Sequence, residues 1–529
     1  MAERIHLFDT TLRDGAQTHG VSFSLADKIQ IAEALDRLGV DYIEGGFPGA
    51  NPVDDAFFAS PPSFARARFT AFGMTRRAGR SAANDPGLAG VMAPGTPAVC
   101  LVGKAWDFHV DLALGITGDE NIAMIADSMA HVVASGAEAL FDAEHFFDGY
   151  KADSGFALAC IEAALEAGAR WAVLCDTNGG TLPGEVGEIV GAVVARLGGG
   201  RLGIHAHDDA GNAVANSLVA VDAGARQVQG TLNGLGERCG NANLVSVIPT
   251  LLLKTDFETG IGDDDLTHLT RVSRMLDEML NNPPDHHAPY VGSAAFAHKG
   301  GLHVSAVMKD PRTYEHVAPA RVGNRRHIVV SGQSGRSNIL ARLAEAGIEV
   351  DVSHPRLDSL VDEVKAREFE GYSYDGAGAS FELLARRLLG TVPTYFEVES
   401  FRVLVERRHN VLGKLVTGSE ATVKLIVGGE RLLSVAEGNG PVDALNHALA
   451  KDLGKYAGYL GGWRLVDYKV RILSPKAGTG AVTRVVIEST DDSDMPWSTV
   501  GVSANIIDAS FQALVDSITY KLLRENAPA

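Results

Sequence analysis

Two histidines one residue apart, His205 and His207, are the part of this chain best suited to gripping a metal ion. Alternate residues of a β-strand point to the same face, so a strand over 201–207 (RLGIHAH) would aim both imidazoles at one point. Two imidazoles and one carboxylate make a common divalent-cation set that leaves positions open for substrate and water. Asp14, just beyond the apolar run RIHLFD (4–9), is the carboxylate that would complete it. An HxH pair alone reads equally well as two unconnected polar residues; Asp14 and the chain's periodicity favour the metal. Arg13 either neutralises its neighbour Asp14 or holds an oxygen of a keto acid or a developing oxyanion. Glu144 reads as a carboxylate facing the same place, or as one merely satisfied by Lys104 or Arg13.

Those residues need a scaffold that gathers segments far apart in sequence. Between residue 4 and about 254, strand-like runs alternate with amphipathic helix-like ones: 4–9, 42–47, 68–73, 98–104, 138–145, 171–177, 201–207 and 227–234 are the strand candidates. In SLADKIQIAEALDRLG, Ser24 and Asp27 form a capping-box start and Gly39 a stop. About eight such units in about 250 residues have the size and rhythm of an α/β fold of the (β/α)8 barrel type. A doubly wound open sheet is the alternative, but no GxGxxG follows the first strand. Barrel active sites collect at the C-terminal ends of the strands. Here those ends carry Asp9, Arg13, Asp14, Glu44, Lys104, Asp142, Glu144, Asp176, Thr177, His205, His207 and Asn233.

The pattern then changes, which divides the chain into a barrel over 1–275, linker subdomains over 276–392 and an α+β domain over 393–529. The linker reads as short helices, among them SNILARLAEAG and ASFELLARRLLG. Within the α+β domain a pair of helices aligns without a gap at a constant offset of 65, Asp443-Ala444 on Asp508-Ala509 and Ala448-Leu449 on Ala513-Leu514. That offset predicts an internal duplication.

Composition narrows the function classes. With 47 basic and 66 acidic residues the net charge is −19, which disfavours nucleic acid and anionic membranes as partners. No apolar stretch is long enough to span a bilayer, and no charged-then-apolar leader precedes the first strand. The four cysteines, Cys100, Cys160, Cys175 and Cys239, are widely spaced without a CxxC, a reducing-compartment pattern. The expected location is the cytoplasm.

Three segments carry a resemblance. FDTTLRDGAQ (8–17), HAHDDAGNAVANS (205–217) and NGLGERCGNANL (233–244) resemble the signatures of the α-isopropylmalate and homocitrate synthase family, whose members condense acetyl-CoA with a 2-oxo acid. The resemblance implies Asp14, His205 and His207 as ligands of a divalent metal ion (Mn, Mg or Zn), with Asn241 as a further ligand, direct or through water. It implies Arg13 as the group that binds and polarises the keto acid, and Thr177 as a substrate contact. His303 and Tyr314, in the linker, match residues that help activate acetyl-CoA or the hydrolytic water. Ala16 departs from the Glu of many relatives, a change familiar in one branch. FDAEHFFDGYKAD (141–153), LVGKAWDFHV (101–110) and VSGQSGRSNI (330–339) resemble the branch that uses pyruvate. The duplicated domain resembles the family's regulatory domain, implying isoleucine as feedback inhibitor and a homodimer.

The mechanism this implies has pyruvate bound through its carboxylate and keto oxygens, with Arg13 sharing the charge that develops on the keto oxygen. A base then removes a methyl proton of acetyl-CoA. Glu144 is the first choice for that base and His303, with Tyr314, the second. Preference for another 2-oxo acid, as in 2-isopropylmalate or homocitrate synthesis, is the nearest alternative. An acyl-CoA lyase on the same barrel is the alternative of another class, disfavoured by the long C-terminal region. A metal-stabilised amino-acid sensor is disfavoured by the polar strand ends.

Overall fold

The computed structural model describes residues 3–528, except 281, 329–335, 352–353, 375, 410, 452, 474–477, 479 and 494–495. Residues 330–335 of the VSGQSGRSNI segment thus lie outside the described residues. The chain forms two compact units, 1–296 with 316–326, and 297–315 with 327–529.

In the first unit eight parallel strands close into a barrel in sequence order: β1 (His6–Asp9), β2 (Tyr42–Gly46), β3 (Arg68–Met74), β4 (Ala98–Lys104), β5 (Glu138–Glu144), β6 (Trp171–Asp176), β7 (Leu202–Ala206) and β8 (Gln227–Gly230). β1 closes the ring by pairing His6 to Gln227 and Asp9 to Gly230, which rules out the open sheet. The helix Leu25–Leu38 shows how the return segments form. Ser24 accepts from the Asp27 N–H, the Asp27 carboxylate accepts from the Ser24 N–H, and Gly39 at φ 102 ends the helix. Its Ile31, Leu35 and Leu38 are fully buried against the barrel, each worth roughly 1.5–3 kcal/mol of transfer free energy. The floor of the barrel is a packed plug of Phe8, Tyr42, Cys100, Leu140, Trp171 and Val173. Trp171 donates to the Tyr42 hydroxyl (3.0 Å), which donates to Glu138 (2.7 Å). A packed floor leaves the opposite mouth for chemistry.

The second unit begins with β9 (Ala297–His298) and β10 (His327–Ile328), a short parallel pair beside the helix Gly301–Lys309. The helices Arg336–Glu345, Arg356–Glu370 and Gly378–Leu389 follow, the first and third on the segments SNILARLAEAG and ASFELLARRLLG. Two three-stranded antiparallel sheets complete the unit: β11 (Glu397–His409), β12 (Leu415–Val427) and β13 (Glu430–Gly438), then β14 (Arg464–Ile472), β15 (Thr483–Thr490) and β16 (Trp497–Ser503). Each sheet is followed by a helix, Pro441–Lys451 and Ile506–Arg524, so the unit is an α+β duplication. The residues aligned at the offset of 65, Ala444 with Ala509 and Leu449 with Leu514, are all fully buried in one shared core. No helix among the described residues is long and apolar enough to cross a membrane.

Candidate active site

At the C-terminal mouth of the barrel, Asp14, His205 and His207 each offer one ligand atom within 4.8 Å of the other two, and all three are buried. His205 is the last but one residue of β7, and His207 follows on the same side. Asp14 reaches the cluster from the turn after β1, whose backbone folds back on Thr10: the Asp14 N–H donates to the Thr10 carbonyl at 2.9 Å. The Asp14 carboxylate lies 3.2 Å from His205 Nε2. Burial alone would raise the Asp14 pKa, but Arg13 and the two imidazoles hold it well below the usual carboxylate range. Burial, with His205 beside it, pulls His207 down to about 4, so its imidazole is neutral, the form that binds a cation.

Support from behind sets the orientation of the ligands. His205 Nδ1–H donates to Gln229 Oε1 (2.7 Å), and Gln229 Nε2 donates to Asp142 Oδ1 (2.9 Å), all of it buried. Because the Gln229 amide uses its nitrogen on Asp142, its oxygen faces the imidazole and leaves Nε2 for the cluster. His207 Nδ1 is buried with no hydrogen-bond partner. An orphaned imidazole nitrogen, an ionised carboxylate and a pre-oriented second imidazole fit a divalent cation. Asn241 meets the same cluster through its amide nitrogen, 2.9 Å from Asp14 Oδ2 and 3.0 Å from His205 Nε2. Its Oδ1 faces Gly236, where a Cβ would come within 1.8 Å, so only glycine lets the loop close over this amide.

Arg13 is fixed on three sides. Its Nε donates to Glu44 Oε2 at 2.7 Å, its Nη1 lies 3.5 Å from Asp14, and its guanidinium covers the Phe72 ring at 4.0 Å. Thr10 also donates to Glu44 (2.5 Å). Burial raises the pKa of Glu44, with Arg13 opposing it. The sequence reading placed Glu44 at a strand end without seeing that it holds Arg13. It also missed Lys28, a buried ammonium on the helix Leu25–Leu38 that donates to the Leu12 carbonyl (2.9 Å), the Gly45 carbonyl (2.8 Å) and Asp54 (2.5 Å). Lys28 therefore ties the turn bearing Arg13 and Asp14 to the strand end bearing Glu44.

Glu144 faces the mouth in an ion pair with Lys104, its register neighbour on β4. The backbone turns sharply after it, with His145 at φ 58, a conformation that costs a non-glycine residue energy and occurs where geometry is functionally constrained. The His145 N–H donates to Thr177 Oγ1 at 2.8 Å, leaving the Thr177 hydroxyl hydrogen free to point elsewhere. Other strand-end residues serve local structure. Asp9 accepts from the N–H and hydroxyl of Thr11, Asp176 from those of Thr181. Asn233 turns away to the Ser273 carbonyl and Asp277. His303 and Tyr314 lie in the second unit, their rings stacked at 4.2 Å. The structure thus brings Arg13, Asp14, Thr177, Glu144, His205, His207 and Asn241 onto the first unit, and pairs His303 with Tyr314 on the second.

A closed parallel barrel with a buried Asp-His-His cluster at its C-terminal mouth matches the HMGL-like family over residues 4–276. Residues 290–370 match the homocitrate synthase post-HMGL domain, and 376–522 the LeuA allosteric (dimerisation) domain. The chain is 51% identical over 527 residues to the (R)-citramalate synthase of Aquifex aeolicus, covering 99% of both proteins. It is 50% identical over 521 residues to that of Geobacter sulfurreducens, covering 98% of this chain and 97% of the relative. A probable 2-isopropylmalate synthase of Methanopyrus kandleri is 32% identical over 519 residues, 98% of both. The chain belongs to the (R)-citramalate synthase family.

Proposed function

We propose that this protein condenses acetyl-CoA with pyruvate to give (R)-citramalate and free CoA, in the service of isoleucine synthesis in the cytoplasm. The observation that carries this reading is near-full-length identity of 44–51% to five (R)-citramalate synthases, against 31–32% to three 2-isopropylmalate synthases.

Asp14, His205 and His207 hold the divalent cation (Mn, Mg or Zn), which when bound supplies Lewis-acid polarisation of the keto carbonyl. Asn241, whose buried Oδ1 has no hydrogen-bond partner, joins them as a further ligand, direct or through water. Arg13, immobilised by Glu44 and Phe72, shares the negative charge that develops on the keto oxygen and needs no reorganisation at that moment. Thr177 donates its free hydroxyl hydrogen to the pyruvate carboxylate. Glu144 takes the methyl proton of acetyl-CoA. The stacked His303–Tyr314 pair activates water for hydrolysis of the thioester, and His303 is the second choice for the base.

The duplicated domain gives a homodimer and an effector site. Leu404, Val416, Leu433 and Val435 are exposed on one face of the β11–β12–β13 sheet, as an unpaired dimer face requires. A cavity of about 270 Å³ between the loops at Gly458–Gly461 and Asp491–Ser493, with Lys521 and Glu525, offers both charges that an α-amino acid such as isoleucine needs.

Thiol release measured with acetyl-CoA against pyruvate, 2-oxobutyrate, 2-oxoisovalerate and 2-oxoglutarate tests the substrate. Pyruvate is expected to be preferred at least about tenfold in kcat/KM, the scale on which a pocket separates side chains differing by a methylene or two. Preference for 2-oxoisovalerate would make the chain a 2-isopropylmalate synthase.

A further inference from the structure

Enolising a thioester takes two groups: a base at the methyl carbon and a donor at the carbonyl oxygen one carbon away. The two must be neighbours, because oxygen and carbon are. Glu144 and Lys104 are such neighbours. They leave adjacent strands at the same level, pair with each other, and together line one side of a largely apolar cavity of about 320 Å³ whose other walls include Phe47, Met74, Leu88 and Val102.

The backbone on both sides of the pair is held. The Lys104 carbonyl accepts from Asn121 Nδ2 at 2.9 Å, and the Glu144 carbonyl accepts from the Ala105 N–H at 3.1 Å. Other cations near the cavity are committed or face water. Arg76 is bound by Glu120 (3.0 Å) and Asp127 (2.7 Å), and Arg77 is exposed. Arg13 is engaged with Glu44 and beside Asp14, where it serves the keto acid. The lysine at the base is the cation in place for the second oxygen.

We infer that Lys104 is a catalytic residue whose ammonium donates a hydrogen bond to the acetyl carbonyl oxygen while Glu144 removes the methyl proton, an inference that rests on the citramalate-synthase reading above. An ammonium has three N–H donors, so it can keep Glu144 and take a carbonyl oxygen together. In the step, a C–H bond of the methyl group breaks and its proton goes to the Glu144 carboxylate. The electron pair forms the C=C bond and the carbonyl oxygen becomes anionic beside Lys104, which gives up no proton. Attack of that carbon on the keto carbon forms the C–C bond, restores the thioester carbonyl and moves the negative charge to the keto oxygen beside Arg13.

The test uses the full chain with Mn2+, pyruvate and either acetyl-CoA or its CD3 form. Lys104→Met is expected to lower kcat by roughly 10²–10³, the usual loss on deleting one oxyanion donor. Its deuterium isotope effect on kcat should rise, because proton removal becomes limiting, with pyruvate binding by calorimetry unchanged. Lys104→Gln and Lys104→Arg keep a donor, so activity should fall in the order Arg, Gln, Met. Equal activity in the three variants, an unchanged isotope effect, or loss of pyruvate binding overturns the inference. If the unmodified protein releases no CoA with pyruvate, the function reading fails and this inference with it. If it does and Lys104→Met matches it, only the inference fails.

Discussion

Replacing Gln229 by leucine asks whether the metal site is built by its visible ligands or by what stands behind them. Gln229 offers the cluster no ligand atom itself. Its oxygen accepts from His205 Nδ1–H at 2.7 Å and its nitrogen donates to Asp142 at 2.9 Å. Leucine keeps the volume and removes both contacts. His205 then loses the bond that fixes its tautomer and ring angle, and such losses weaken metal binding about 10–100-fold, or about 1.4–2.8 kcal/mol. Asp142, fully inside the barrel, loses a donor as well, which adds about 1–3 kcal/mol of instability. Mn2+ titration by calorimetry on chelator-treated protein reads the first quantity, and urea unfolding of the barrel reads the second. Gln229→Glu separates them. A glutamate still accepts from His205 but sets a second carboxyl group against buried Asp142, so it should keep most of the Mn2+ affinity while losing stability. If Gln229→Leu binds Mn2+ as tightly as the unmodified protein, or Gln229→Glu loses as much affinity as leucine, the orientation argument is wrong.

Three further outcomes follow from buried charges. Arg13→Lys removes the planar fork that reaches Glu44 while lying on Phe72, so kcat/KM for pyruvate should fall by roughly 10²–10³ with little change in melting temperature; steady-state kinetics decide it. Lys28→Met leaves Asp54 buried without its ion-pair partner and should cost about 3–5 kcal/mol in urea unfolding, with a raised pyruvate KM because the Arg13 turn loosens. Burial pushes the Asp41 pKa up, but His6, the Leu7 N–H and Arg4 more than offset it, so its pKa is net lowered from 3.8. A depressed carboxylate contributes stability above its unfolded pKa and loses it as pH falls through the folded one. Asp41→Asn should therefore melt earlier near neutral pH, with the gap closing as pH falls below 3.8.

The Asp14–His205–His207 cluster was legible because a strand's period of two and a barrel's single active mouth together say where polar residues meet. His205 and His207 needed nothing more, and the duplication needed only an offset. Gln229 carried a signal that could have been used. It follows Gln227 at the strand period, and both are polar at fully buried, inward-facing positions where a barrel interior ordinarily takes Val, Ile or Leu. Lys28 carried the opposite kind. A lysine near the apolar stripe of Ile31, Ala32 and Leu35 normally extends its head to water, and only the folded neighbours Leu12, Gly45 and Asp54 show that this one does not. Asn233 shows the limit from the other side, since one positive φ turns a strand-end amide away from the mouth.

These cases have a common cause. Sequence period fixes which face a side chain takes, whereas its partner is set by which strands the ring makes adjacent: β1 with β2 for Arg13 and Glu44, β4 with β5 for Lys104 and Glu144, β7 with β8 for His205 and Gln229. Each of these three pairs joins ring neighbours. Chemistry spread over eight strands is thereby oriented by local contacts, and a substitution one strand over should change affinity or rate before it changes the fold.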